Sequence, residues 1–150
     1  MNKPETTMRQ YLVKGLRKAG CDAMAVENGD TCMGTPDINA CYHGNELWIE
    51  CKCLPAFPKR PTTTIKIGHY SIEQYLWLRE RVRAGGNCLL ILKTVEPTGY
   101  YVLGPESFKP MQKGLMTERD IINESFCYFK RSVNFAELLS TSLMMLENTE

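Results

Sequence analysis

Paired cysteine motifs are missing from the sequence. Its seven cysteines are odd in number and none of them forms a C-x-x-C pair, whereas zinc sites usually use paired spacings and a disulfide framework usually has an even number of cysteines. We therefore expect reduced thiols in this chain, with a structural zinc ion or an iron–sulfur cluster as the less favoured alternative.

Long apolar runs are missing as well. No stretch approaches the roughly 20 apolar residues that span a bilayer, and the first ten residues, MNKPETTMRQ, hold no apolar core of a secretory signal. No internal repeat or low-complexity segment is present. We expect a cytoplasmic protein with no membrane partner, and 150 residues with 43% hydrophobic composition fit one globular domain.

The net charge is only +1, but the charges are unevenly distributed. Residues 51–83 carry seven basic residues against two acidic ones, whereas the flanking regions are slightly acidic. A local basic surface can bind a polyanion even in a neutral protein, although a solvated helix face and loop would explain the charge equally well. The basic residues are Lys52, Lys59, Arg60, Lys66, Arg79, Arg81 and Arg83.

Apolar periodicity and turn residues predict an α/β protein. Up to residue 104 the order is helix, three strands, helix and two strands, which indicates a mixed central sheet with one helix crossing over before the fourth strand. The predicted helices are 4–19, 71–84 (opened by Ser71) and 135–147. The predicted strands are 21–27, 38–43, 46–52, 87–95, 100–104 and 126–131, with a hairpin turn at Gly44-Asn45 and a proline-rich loop at 54–70.

Three residues of the predicted hairpin combine two carboxylates with a lysine. Asp37 follows Pro36 at the entry of the first hairpin strand, while Glu50 and Lys52 lie on the second. Because side chains alternate along a strand, Glu50 and Lys52 share one face with Trp48. The hairpin folds back on itself, so Asp37 is expected beside Glu50.

This combination suits metal-assisted hydrolysis of a phosphodiester. Mg²⁺ prefers oxygen ligands, with one or two carboxylates among them, and keeps waters that can attack phosphorus. The ion polarises the phosphoryl oxygen and lowers the pKa of the attacking water. A neighbouring lysine can orient or deprotonate that water, or offset the charge that builds up on phosphorus.

Residues 34–53, GTPDINACYHGNELWIECKC, resemble the PD-(D/E)XK nuclease signature, with Pro36-Asp37 as the first part and Glu50-Cys51-Lys52 as the second. Archaeal-type Holliday junction resolvases and the VRR-NUC group also carry an acidic residue on the first helix and a glutamine after the hairpin. Glu5 and Gln74 match those positions. The resemblance extends over about residues 5–104.

The resemblance implies a restriction-endonuclease-like core, a mixed central sheet flanked by helices, over about residues 4–104 of a single nuclease domain. Residues 105–150 would be a C-terminal extension and a candidate dimerisation element. The implied catalytic residues are Glu5, Asp37, Glu50, Lys52 and Gln74. The implied ligands of Mg²⁺, which Mn²⁺ could replace, are Glu5, Asp37, Glu50 and the backbone carbonyl of Cys51.

Basic residues near the proline-rich loop are candidates for contacts with the DNA backbone, which give affinity without sequence readout. These candidates are Lys59, Arg60, Lys66 and His69. Tyr70, next to His69, could contact phosphate as well. A lone histidine or tyrosine in a loop is more often incidental.

Each site residue also has a structural explanation. Asp37 could be an ordinary turn residue after proline, and Glu50 and Lys52 could form a structural ion pair. Glu5 could simply complement the positive end of its helix. Gln74 could form a capping box with Ser71. Only the joint occurrence of the three hairpin residues favours catalysis.

The sequence thus predicts a Mg²⁺-dependent DNA endonuclease of phage or bacterial type. Its small size and the absence of a recognisable sequence-reading module favour branched DNA, such as Holliday junctions or flaps, cut by a homodimer during repair or recombination. Two alternatives stay open. One is a non-catalytic nucleic-acid-binding module that retains the nuclease fold, and the other is a subunit that needs a partner for targeting.

Overall fold

The computed structural model describes residues 3–26 and 33–147, and for residues 144–147 the backbone only. A short 3₁₀ turn occupies Pro105–Ser107. The helices are α1 (Lys3–Lys18), α2 (Ile72–Arg83), α3 (Phe108–Gln112), α4 (Glu118–Glu124) and α5 (Phe135–Glu147). The strands are β1 (Asp22–Ala25), β2 (Ile38–Tyr42), β3 (Asn45–Leu54), β4 (Cys88–Thr94), β5 (Gly99–Leu103) and β6 (Cys127–Lys130).

The six strands form one mixed sheet in the order β1-β2-β3-β4-β5-β6. All neighbouring strands are antiparallel except β3 and β4, which are parallel. Parallel neighbours need a crossover, and α2 supplies it. The predicted α/β class, mixed sheet and crossover helix are therefore confirmed. Within residues 3–26 and 33–147, no helix is long and apolar enough to cross a membrane.

Helices cover both faces of the sheet. Apolar residues of α1 and α5 pack on one face, and those of α2, α3 and α4 pack on the other. The alternation along β3 follows this division: Leu47, Ile49 and Cys51 join the first core, whereas Trp48 packs against the second. Glu50 and Lys52 therefore lie on the face that α2 covers.

The hairpin turn differs from the prediction by one residue. Tyr42 pairs with Asn45, so the turn consists of His43 and Gly44, with φ values of 49° and 81°. Positive φ at both central positions is typical of the type I′ turn, whose twist matches that of the strands. The predicted turn at Gly44-Asn45 is wrong because Asn45 already belongs to β3.

The chain after Leu103 belongs to the same sheet and the same two cores. β6 pairs with β5 as an edge strand, while Phe108 and Leu138 are buried on opposite faces. Strand β6 and helix α5 agree with the predicted elements at 126–131 and 135–147. The helices α3 and α4 were not predicted.

The last turn of α2 is fixed to β3 through Arg81. Its guanidinium lies 2.7 Å from the carboxylate of Glu46 and packs against the rings of Trp48 and Trp77, at 5.2 and 5.3 Å from their centroids. Arg81 is thus a packing residue and not only part of a solvated face. This contact sets the position of α2 above Glu50 and Lys52.

Candidate active site

Asp37 lies where β2 begins, beside the middle of β3. Its Oδ2 atom accepts a hydrogen bond of 2.8 Å from the backbone N–H of Cys51, and its side chain is buried. The β2–β3 register ends at Ile38 opposite Ile49, and beyond that pair the Asp37 carboxylate takes the place of a strand partner. The hairpin thus brings Asp37 next to Glu50 and Cys51.

Glu50 and Lys52 are almost completely buried, with exposed fractions of 1% and 0%. The Lys52 Nζ atom lies 3.4 Å from the Glu50 Oε1 atom. Two charges removed from water need further hydrogen bonds to offset the lost hydration. For Lys52, those bonds come from the segment that leads into α2.

Lys52 is held from several sides by this segment. Its Nζ donates hydrogen bonds to the backbone carbonyl of His69 and, at 3.0 Å, to Oε1 of Gln74. Together with Glu50, these acceptors match the three N–H donors of an ammonium group. The ring of Tyr70 lies over the same group, with its centroid 5.2 Å from Nζ.

Gln74 both caps α2 and contacts Lys52. Its backbone N–H donates to the hydroxyl oxygen of Ser71 at 3.2 Å, and its Oε1 accepts from the Ser71 N–H at 2.9 Å, which completes a capping box. The same Oε1 accepts from Lys52. The cap therefore fixes the amide in the orientation that the lysine needs.

Glu5 approaches the site from the first turn of α1 and is buried. Burial raises the pKa of Glu5, the nearby Lys52 lowers it, and Asp37 raises it. With Asp37 and His69, Glu5 lines an open cleft of about 410 Å³. In residues 3–26 and 33–147 no three His, Cys, Asp or Glu side chains come close enough together to hold a metal ion, so Glu5 does not complete a three-carboxylate cluster.

Glu50 is a buried carboxyl group in an electrostatically unfavourable place. Burial raises the pKa of Glu50 well above its ordinary value, the Asp37 carboxylate raises it further, and Lys52 only partly offsets both effects. Its Oε2 atom is buried and has no hydrogen-bond partner within the described residues. A buried oxygen without a partner is costly, and a cation at this point would remove the cost.

Solved structures with a similar architecture were found by comparison of the folds. Hjc, a Holliday junction resolvase from the archaeal hyperthermophile Archaeoglobus fulgidus, matches with a TM-score of 0.50 and 22% identity over 67% of this chain and 77% of its own. The bacterial homing endonuclease I-Ssp6803I matches with a TM-score of 0.51 and 12% identity over 97% of this chain and 95% of its own. The chain has the restriction-endonuclease-like fold.

The restriction-endonuclease-like fold extends beyond the segment that the sequence resemblance covers. An alignment over 97% of the chain necessarily includes most of the residues after 104, which lie outside the sequence resemblance. No protein-family model matches the sequence, and no curated protein does either. The fold assignment therefore rests on structure, and both neighbours are nucleases by their descriptions.

Within this fold, the donor atoms around Asp37 fit Mg²⁺. Asp37 and Glu50 supply two carboxylates. The carbonyl of Cys51 points to the same edge of β3 as its N–H, and thus toward Asp37. Mg²⁺ is usually held by one or two carboxylates and retains several waters, whereas zinc requires more nitrogen or sulfur ligands. The unpaired Glu50 Oε2 is an oxygen that such an ion would use.

The predicted DNA contacts lie in the connection between β3 and α2, outside the buried group. The connection is anchored at Ile65, whose N–H donates to the carbonyl of Met116 at 2.8 Å. Its basic side chains point outward, and the histidine lines the cleft. The exposed residues are Lys59, Arg60, Lys66 and His69.

Tyr70 has a different place from the one expected. The sequence suggested a contact with phosphate, but the side chain is only 5% exposed and packs on Lys52. Neither this packing nor the His69 carbonyl bond belongs to any motif. The signal that could have found Tyr70 is an aromatic residue directly before the N-cap of the helix that covers the site.

Proposed function

We propose that the protein is a Mg²⁺-dependent DNA endonuclease, with Mn²⁺ able to substitute. The observation that carries the proposal is the buried group of Asp37, Glu50 and Lys52, in which one carboxylate oxygen has no partner among the described residues. A fold shared with two nucleases supports the proposal, although a fold does not by itself determine a function.

The chain's own residues supply distinct parts of the chemistry. Asp37, Glu50 and the Cys51 carbonyl would hold the ion, which polarises the phosphoryl oxygen and lowers the pKa of the attacking water. Lys52 supplies positive charge next to these ligands, which would stabilise charge on the phosphate. Its three N–H donors are occupied by Glu50, His69 and Gln74, so a shift of the segment around His69 would be needed to free one of them to orient the nucleophile. Gln74 holds Lys52 in place through its Oε1 atom. Glu5 adds a further negative charge at the cleft.

The proposed substrate is branched DNA, such as a Holliday junction or a flap. The similarity in fold to Hjc, a Holliday junction resolvase, supports this proposal. The exposed basic residues of the β3–α2 connection would contact DNA phosphates near the cleft. A homodimer, with residues 105–150 as its candidate interface, would bring two sites to two strands.

The substrate proposal is tested by cleavage of three labelled DNAs of matched sequence: a four-way junction, a flap and a linear duplex. We expect Mg²⁺-dependent cutting of the branched molecules at a rate at least tenfold above that of the duplex. Glu50→Ala serves as the inactive control. Equal cutting of all three DNAs would support the proposed endonuclease activity but exclude a preference for branched DNA.

One observation favours the alternative of a binding module or a partner-dependent subunit. Glu50 and Lys52 are enclosed, at 1% and 0% exposure, so phosphate reaches them only if the segment around His69 shifts. Under this alternative the pure protein binds the junction and cuts nothing with any metal. Cutting by the pure protein would exclude it.

A further inference from the structure

Tyr70 is a buried aromatic residue at the point where the β3–α2 connection reaches the active site. Its ring centroid lies 5.2 Å from the Nζ of Lys52. Its hydroxyl is buried and has no hydrogen-bond partner within the described part of the chain. The ring is thus in contact with the lysine, whereas the hydroxyl takes no part in a hydrogen bond.

The backbone of Tyr70 is supported by the chain after β5. Gln112, at the end of α3, donates from Nε2 to the Tyr70 carbonyl at 3.4 Å. Thr64 forms a β-bridge with Thr117. Tyr70 belongs to the same hydrophobic core as buried residues of α3, α4 and the turn between them. These residues are Phe108, Met111, Met116 and Ile121.

A buried lysine needs this kind of support. A lysine side chain carries a compact charge on a flexible four-carbon stem. The hydrogen bonds to His69 and Gln74 fix only the ammonium group at its end. An aromatic face near a desolvated cation adds electrostatic attraction.

We propose that Tyr70 is a positioning residue for Lys52, and that residues 105–117 take part in the active site by holding Tyr70. This inference rests on the proposed nuclease function, in which Lys52 acts at the phosphate. The ring carries the effect, because the hydroxyl has no partner in the described structure. The region first regarded as an extension thereby becomes a support of the catalytic lysine.

A second tyrosine in the chain provides a matched control. Tyr100 is buried to a similar degree, at 3% exposure against 5% for Tyr70. The Nζ of Lys93 lies 5.7 Å from its ring centroid, so it makes the same kind of contact. Tyr100 belongs to the core on the opposite face of the sheet and stacks on Tyr11. Tyr100→Leu thus removes an equivalent ring without touching Lys52.

The experiment compares Tyr70→Leu, Tyr70→Phe, Tyr100→Leu and wild type in single-turnover cleavage of labelled DNA with Mg²⁺. DNA binding in EDTA and thermal unfolding are measured beside it. We expect Tyr70→Leu to lower the cleavage rate about 10²-fold, the order expected for a misplaced catalytic group, with DNA binding within twofold of wild type. Tyr70→Phe should cleave at the wild-type rate. Tyr100→Leu should lower the unfolding temperature by as much as Tyr70→Leu does, but it should leave the cleavage rate unchanged.

The possible outcomes separate the inference from the proposed function. If wild type cuts and Tyr70→Leu cuts equally well, the positioning role is wrong and the nuclease stands. If Tyr70→Phe loses as much rate as Tyr70→Leu, the hydroxyl is the active group and the ring-based account is overturned. If Tyr100→Leu slows cleavage equally, the effect is one of general stability. A wild type that cuts no DNA overturns the proposed function and this inference together.

Discussion

At the scale of single residues, two carboxyl groups and one amine are buried side by side at Asp37, Glu50 and Lys52. Burial and the neighbouring Asp37 both raise the pKa of Glu50, and its Oε2 atom lacks a partner within the described residues. Such groups reduce the stability of a metal-free protein, and they persist where function requires them. The cost should appear in the unfolding of designed variants.

Replacing Glu50 by glutamine should stabilise the metal-free protein. The amide keeps the shape of the side chain and leaves Asp37 and Lys52 as a balanced pair. The pKa of Glu50 is higher in the folded than in the unfolded chain, so the folded wild type binds more protons and becomes less stable as the pH rises and Glu50 ionises. Glutamine does not ionise, so the variant does not lose this stability. We expect Glu50→Gln to raise the free energy of unfolding by about 0.5–2 kcal/mol at pH 8, and by almost nothing at pH 4.

Urea unfolding in EDTA at several pH values measures this difference. Lys52→Met is the control, because it should change the free energy of unfolding in the opposite direction. Removing the lysine leaves the carboxylates without a buried cation, which should lower the free energy of unfolding by about 3–5 kcal/mol at neutral pH. Mg²⁺ should recover part of that loss. A Glu50→Gln protein no more stable than wild type at pH 8 would show that the carboxylates are not strained.

That Asp37, Glu50 and Lys52 lie close together could be predicted from the sequence, because their proximity depends only on strand alternation and one hairpin. The surroundings of Lys52 could not. They consist of a backbone carbonyl at His69 and a ring at Tyr70, which come from a loop whose path depends on residues more than forty positions away in the sequence, such as Gln112.

At the scale of elements, the turn before Asp37 packs against the first turn of α2 at Gly34. Its φ is +87°, and a Cβ atom there would lie 2.4 Å from the carbonyl oxygen of Glu73. Gly34→Ala should therefore push α2, and Gln74 with it, away from β2. We expect a loss of about 3 kcal/mol in the free energy of unfolding from strain and overpacking, together with slower cleavage.

Gly44 is the matched control for this prediction. Its φ of +81° carries the same backbone strain, but nothing lies within 4 Å of an added Cβ atom. Gly44→Ala should cost only about 1–2 kcal/mol, the strain of the left-handed conformation, with cleavage unchanged. Equal losses of stability and rate in the two variants would show that the contact of Gly34 with α2 is unimportant.

The basic β3–α2 connection should bind DNA through phosphates. We expect Lys59→Ala with Arg60→Ala to weaken junction binding and to reduce the slope of log K against log salt by about 2. Lys14→Ala with Lys18→Ala removes the same charge from the exposed side of α1, about 14 and 20 Å along the helix from Glu5. Fluorescence anisotropy over a salt series gives both slopes. An equal effect of the two pairs would mean that charge alone, and not this connection, controls binding.

Long periodic elements could be predicted, and short ones could not. The helix α2 follows from its apolar positions and from the Ser71 cap, and the hairpin follows from alternation. In contrast, α3 has five residues and α4 seven, which is too short for a helical period to be visible. Their positions are set by contacts with Ile65 and Thr64, and these are tertiary.

At the scale of the whole molecule, the residues after Gly104 contribute to both cores. We expect a chain of residues 1–104 to lose cooperative unfolding, because it loses an edge strand and buried side chains on each face of the sheet. The buried apolar side chains lost are Phe108, Met111, Met116, Ile121, Cys127, Phe129, Val133, Leu138 and Leu139. Near-ultraviolet circular dichroism during urea titration measures this. A sharp transition at the midpoint of the full chain would mean that residues 105–150 are dispensable for folding.

The central claim is metal-dependent hydrolysis at Asp37 and Glu50, and one measurement tests it most directly. Purified wild type and Asp37→Asn are incubated with end-labelled DNA in Mg²⁺, Mn²⁺ or EDTA. The account predicts cutting by wild type with either metal, none in EDTA, and a loss of at least about 10³-fold in Asp37→Asn, which is on the order of the effect of removing one main catalytic group. Cutting that survives EDTA or the Asp37→Asn substitution would contradict it.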